Sequence, residues 1–112
     1  MKNYRFGKKV FIKKKSEFNE IFNSGKKVKS NHIVVFMLPS RELKIGFAVA
    51  KSIKGAVKRN RAKRRLKVLV RSYFHKFPQR KAIVVVARPG ILDEKFQELD
   101  QQFVHLLSNL CK

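Results

Sequence analysis

The chain has 112 residues, with 28 Lys plus Arg against 7 Asp plus Glu and a formal net charge of +21. That length suits one domain, 1–112, around one modest core, and such a charge calls for an anion: nucleic acid first, an acidic membrane or protein after it. A 44% hydrophobic content that includes ten Phe argues against a disordered polycation. The apolar runs are too short to span a bilayer, the opening "MKNYRFGKKVFIKKK" lacks a signal-peptide core, and lone Cys111 can form neither an internal disulfide nor a cysteine metal site. The expected setting is cytoplasmic.

Residues 1–15 read as an irregular basic segment from which Phe6, Val10 and Phe11 could pack on the domain. Ser16 offers an N-cap, and Phe18, Ile21 and Phe22 recur at helical spacing before Gly25, a helix stop. "NHIVVFML" reads as a strand, with a shorter one at 27–29 before it. "PSREL" supplies a turn, and "KIGFAVA" is the next strand, so an antiparallel hairpin is expected. A long helix follows from about Ala56 to Phe74, ending before Pro78. "KAIVVVARPG" is a strand apolar on both faces. Asp93 is placed as the cap of a last helix with the stripe Phe96, Leu99, Phe103, Leu106, Leu107 and Leu110. The expected class is α+β, in the order helix, strands, helix, strand, helix.

The long helix carries the functional signal. At about 100° per residue, Ala62, Leu66, Leu69, Val70, Tyr73 and Phe77 form one stripe, while Asn60, Arg61, Arg64, Lys67 and Arg71 fall opposite. Arg59 and Lys63 lie near the extension of the apolar stripe. A merely solvated face mixes signs to gain i,i+4 pairs, yet no Asp or Glu occurs from Leu43 through Leu92. Like-charge pairs such as Arg61 with Arg65 cost a few tenths of a kcal/mol in the free protein, and a polyanion removes that cost. Arg forks bridge phosphates or stack on bases, and Lys acts as a point charge. Asn60 reads either as a group for a base edge or ribose hydroxyl or as a plain surface amide.

Intrinsic catalysis is not indicated. The acids Glu17, Glu20, Glu42, Asp93, Glu94, Glu98 and Asp100 form no carboxylate cluster in the sequence, and His32, His75 and His105 fall on separate elements. No Gly-rich phosphate loop or zinc spacing is present. Neither catalytic nor metal-ligating residues are assigned, and no small-molecule substrate is expected.

"KGAVKRNRAKRRLK", with Ala56-Val57-x-Arg59-Asn60-Arg61-x-Lys63-Arg64, resembles the signature helix of the bacterial ribonuclease P protein subunit. Phe18 and Phe22 followed by Gly25, the "IGFAVAKSI" strand and "VVVARPG" extend the resemblance in order and spacing. It implies a two-layer α/β sandwich with a left-handed strand-helix-strand crossover, similar to a ribosomal-protein fold, whereas such crossovers are otherwise right-handed. It also implies a partner catalytic RNA that holds the active site and, with the substrate, most of the Mg2+, and a second partner in precursor tRNA. The RNA-docking set is then Arg59, Asn60, Arg61, Lys63 and Arg64, widened along the basic stretch to Lys54, Lys58, Arg65, Lys67 and Arg71. The 5′ leader is assigned to a cleft between the signature helix and the sheet, with Phe18, Phe22, Phe36, Lys51 and Arg59; each Phe also reads as a core residue. The chain departs from the family at Lys54-Gly55, where Gly-Asn is usual, and at Lys67, where Arg is common. The alternative is a ribosomal or RNA-chaperone protein that takes part in no reaction.

Overall fold

The computed structural model describes residues 11, 12 and 14–110, so Phe6, Val10 and Cys111 lie outside the described residues. Three helices and four strands follow one another as α1 (Lys15–Ser24), β1 (Lys26–Lys29), β2 (Ile33–Pro39), β3 (Lys44–Val49), α2 (Ala56–Tyr73), β4 (Lys81–Ala87) and α3 (Phe96–Leu110). Short 3-10 turns at Phe74–Lys76 and Pro89–Leu92 flank β4.

The strands form one sheet in the order β1-β2-β4-β3. β4 pairs antiparallel with β2 and parallel with β3, with Val35 opposite Val85 and Phe47 opposite Val85 on the other side. The hairpin expected between β2 and β3 is therefore absent, because β4 lies between them. The reason is burial. β4 is apolar on both faces, and only an interior position covers both. The loop after β2 crosses the start of β4, where the Ser40 N–H donates to the Arg80 carbonyl at 2.9 Å.

Alternation along the strands divides the core in two. Ile33, Val35, Met37, Ile45, Val49, Ile83, Val85 and Ala87 point to one face, where they meet Ala62, Leu66, Leu69 and Val70 of α2 and Leu99, Phe103, Leu106, Leu107 and Leu110 of α3. These two helices make the main second layer. The other face carries Ala82 and Val84 with Phe36, Leu38, Ala48 and Val86, and α1 covers part of it through Ile21 and Phe18. The Phe18 ring lies so close to β3 that a Cβ on Gly46 would sit 2.8 Å from it, so a larger residue there would displace the ring. Outside β3, the Ile12 N–H donates to the Ile45 carbonyl at 2.9 Å, and the rings of Phe11 and Phe47 are 6.0 Å apart.

Three helix ends differ from the expected ones. α1 starts at Lys15 with extended Lys14 as its cap, so Ser16 sits inside the first turn; the Lys14 carbonyl accepts the N–H groups of Glu17 and Phe18. α2 is as expected to Tyr73, but buried Phe77 lies beyond it, after the 3-10 turn. Asp93 does not cap α3. Its N–H closes the Pro89–Leu92 turn on the Gly90 carbonyl, and α3 begins at Phe96, with the Lys95 carbonyl accepting from Glu98 and Leu99. The α3 stripe is buried apart from Phe96, which is exposed. No helix among the described residues is long and apolar enough to cross a membrane.

Candidate nucleic-acid interface

α2 leaves the C-terminal end of β3 through a turn containing Lys51 and Lys54, both exposed. Gly55 begins the helix at φ +89°, a backbone conformation that side-chain-bearing residues rarely adopt. Glycine adopts it here without the strain that a side chain would bring.

Lys58, Asn60, Arg61, Lys63, Arg64, Lys67 and Arg71 are exposed along the outside of the helix. Asn60, Lys63, Arg64 and Lys67, spaced i, i+3, i+4 and i+7, line a groove of about 330 Å³. His32 pairs with Glu94 and Lys44 with Glu17, both away from the Lys58–Lys67 stretch. Lys67 reaches the sheet edge, its Nζ 5.9 Å from the Phe47 ring centroid. The helix itself contributes no acidic side chain to this face.

Two arginines of the expected docking set turn inward. Arg59 donates through Nη1 to the Ile53 carbonyl at 2.9 Å and the Ala50 carbonyl at 3.2 Å, and through Nη2 to the Val49 carbonyl at 3.4 Å. It therefore braces the turn that carries Lys51. Arg65 donates from Nη1 to the carbonyls of Ile91 and Glu94, both at 2.7 Å, tying α2 to the segment ahead of α3. Both are half-buried.

The aromatic residues expected at a leader cleft sit together, but not between α2 and the sheet. Phe18 and Phe22 of α1 have centroids 6.2 Å apart, and Phe22 meets Phe36 of β2 edge-on at 5.0 Å. All three lie on the sheet face opposite α2, beside α1. The location differs because a one-residue step along β2 changes face: Val35 points toward α2 and α3, and Phe36 points away. Phe22 is 37% exposed, and Phe18 and Phe36 are half-buried. Two cations that sequence reasoning misses join them. Lys27 pairs with Phe36 and Lys29 with Val34, which places both on this face, and Lys27 Nζ stands 5.8 Å from the Phe36 centroid. The alternation in "KKVK" is the signal that could have found them. Lys51 stands at the end of the same sheet, beyond β3.

Among the described residues, Tyr73 and Glu94 are shifted in titration, and neither belongs to the basic strip. Tyr73 is raised, first because its hydroxyl donates to Asp100 at 2.8 Å and then by burial. Glu94 is lowered, first by the Lys95 N–H and then by His32 Nε2 at 3.0 Å.

A one-sheet α/β domain with a cationic helix beside an aromatic sheet face is the class of protein defined so far. The family model for ribonuclease P matches residues 6–111. The ribonuclease P protein component of Nitratiruptor is 36% identical over 99 residues, covering 88% of this chain and 90% of that one. The component from Bacillus pumilus is 34% identical over 98 residues, covering 85% and 82%. The Staphylococcus aureus RNase P protein structure superposes with a TM-score of 0.78 at 25% identity, covering 90% of this chain and 94% of that one. The Thermotoga maritima RNase P protein has the same fold, with a TM-score of 0.73 at 23% identity over 83% and 90%. The chain belongs to the ribonuclease P protein family.

Proposed function

We propose that this chain is the protein subunit of a ribonuclease P particle, docking on the catalytic RNA through the outer face of α2 and holding the 5′ leader of precursor tRNA against the sheet face beside α1. The observation that carries the reading is the strip from Lys58 to Lys67, exposed and without acid partners among the described residues. RNA phosphates supply the missing negative charge, and Asn60 adds an amide for a base edge or ribose hydroxyl. On the other sheet face, Phe22 and Phe36 offer ring surface to unstacked bases, and Lys27 and Lys51 offer charge to the leader phosphates. Arg59 acts on the leader indirectly, by fixing the Lys51 turn.

In this reading, bond cleavage belongs to the RNA subunit in the cytoplasm, and magnesium is held mainly by that RNA and the substrate. The protein's own residues supply binding and orientation. Purified chain mixed with a bacterial ribonuclease P RNA and a precursor tRNA at low magnesium should stimulate accurate 5′ cleavage. RNA binding without stimulation would favour a ribosomal or chaperone role.

A further inference from the structure

The docking strip does not use the far end of the sheet. There Pro39, Ser40, Arg41 and Arg80 line an open groove of about 550 Å³. Arg41 follows β2 and Arg80 precedes β4, and the Ser40 N–H to Arg80 carbonyl bond locks the two backbones together. Both arginines are exposed, and neither guanidinium has a hydrogen bond or ion pair among the described residues. Glu42 is exposed next to Arg41 but pairs with neither, whereas nearby Lys44 is held by Glu17 at 3.6 Å.

Arg80 is the non-glycine residue in the left-handed region among the described residues, at φ +59°. Gly or Asn fits that conformation with less strain. Backbone strain of this kind tends to collect at binding sites, and here it carries a long, exposed cation. No aromatic ring lines the groove, so it suits phosphate oxygens rather than bases.

We propose that Arg41 and Arg80, with the Ser40 hydroxyl, form a second anchor for the phosphate backbone of the RNA that docks on α2. This inference rests on the docking reading above. α2 spans 18 residues, roughly 27 Å at 1.5 Å per residue, and β3 and β4 run parallel on either side of it in the chain, so the groove lies at the opposite end of the sheet from the turn where α2 begins. Placed at the other end of the sheet, the groove would meet a different stretch of the same RNA from the one at the start of α2. The far-end anchor is independent of base sequence and sets the orientation of the protein on the RNA.

The test is an Arg41→Ala/Arg80→Asn double variant, in which Asn tolerates the left-handed backbone, so its melting temperature should equal or exceed that of the natural chain. Each protein is titrated against a bacterial ribonuclease P RNA between about 50 and 200 mM monovalent salt. The slope of log affinity on log salt should fall by about one to two units, at about 0.7 to 0.9 per phosphate bound. Arg41→Lys/Arg80→Lys should recover most of that slope. A lysine variant as defective as the double variant would overturn the charge role. A double variant with an unchanged slope overturns the inference alone if Arg61→Ala/Arg64→Ala still lowers the slope. If neither variant changes the slope, the docking reading of α2 fails and the far-end anchor falls with it.

Discussion

α2 and α3 pack on the same sheet face through the same kind of apolar stripe, yet their outer faces have nothing in common. α2 carries eight Lys and Arg and no acid, while α3 carries no Lys or Arg, two acids and exposed Phe96 and Val104. Folding alone explains the stripes. It does not explain the outer faces, because a structural helix gains nothing from like charges at i,i+4. In a molecule of charge +21, a helix without Lys or Arg shows that charge is placed rather than spread. On the reading proposed above, the outer face of α2 is the one that meets RNA.

The largest effects should make the helices look alike. Phe103 and Leu66 are fully buried, one on each helix. Phe103→Ala should cost about 3–5 kcal/mol of stability and Leu66→Ala about 2–5 kcal/mol, measured by denaturant titration. A loss below about 1 kcal/mol at either site would break the view that both helices anchor the fold. The next effect should separate them. Arg61→Ala/Arg64→Ala should lower the salt slope of RNA binding by about 0.7 to 0.9 for each phosphate that the variant no longer neutralises, with the melting temperature nearly unchanged. Glu98→Gln and Gln101→Ala on α3, where both residues are exposed, should leave RNA affinity within twofold. Equal responses from the two helices would mean that total charge, not the α2 strip, governs binding.

The start of α2 and the two-faced burial of β4 are legible in the sequence because each rests on a local pattern: an amphipathic helical period and an unbroken apolar run. The β2–β3 pairing is not, because turn chemistry at 39–43 says that the chain reverses, not which strand comes to lie alongside. The carbonyl partners of Arg59 and Arg65 are hidden for a similar reason, although the place of Arg59 near the apolar stripe is legible. A helical projection gives the direction of Cβ, but these long side chains follow backbone carbonyls at Val49, Ala50, Ile53, Ile91 and Glu94, whose positions depend on the tertiary fold. The aromatic group is legible as residues but not by the face it occupies, since the face that α1 covers is decided by packing.

A smaller effect tests the seam between the two helices. The Tyr73 hydroxyl donates to Asp100, and the ring lies 6.0 Å from Phe103. Tyr73→Phe removes the hydrogen bond, keeps the ring and should cost about 1 kcal/mol near neutral pH. The bond to Asp100 raises the Tyr73 pKa above its ordinary 10.0. Its stabilisation is therefore complete below about pH 10 and lost as pH rises through the folded-state value. Tyr73→Phe should flatten that alkaline loss. An alkaline limb that stays as steep in the variant would show that another group produces it.

The smallest effect belongs to the joint where the chemistry of α2 meets the approach to α3. Arg65 binds the backbone of Ile91 and Glu94, while the Glu94 carboxylate receives the Lys95 N–H at 2.9 Å and His32 Nε2. Arg65 thus fixes the main chain that aims the carboxylate, and the carboxylate ties that main chain to the loop before β2. Lowered from its ordinary 4.5, Glu94 contributes stability that is present above that value and lost as pH falls through the folded-state value. Glu94→Gln should flatten the acid limb of the stability profile below about pH 4.5 and leave the salt slope of RNA binding unchanged. A changed slope would mean that the joint sets the orientation of the basic strip, and the separation between an RNA-facing helix and a purely structural one would then narrow to the residues that Arg65 does not reach.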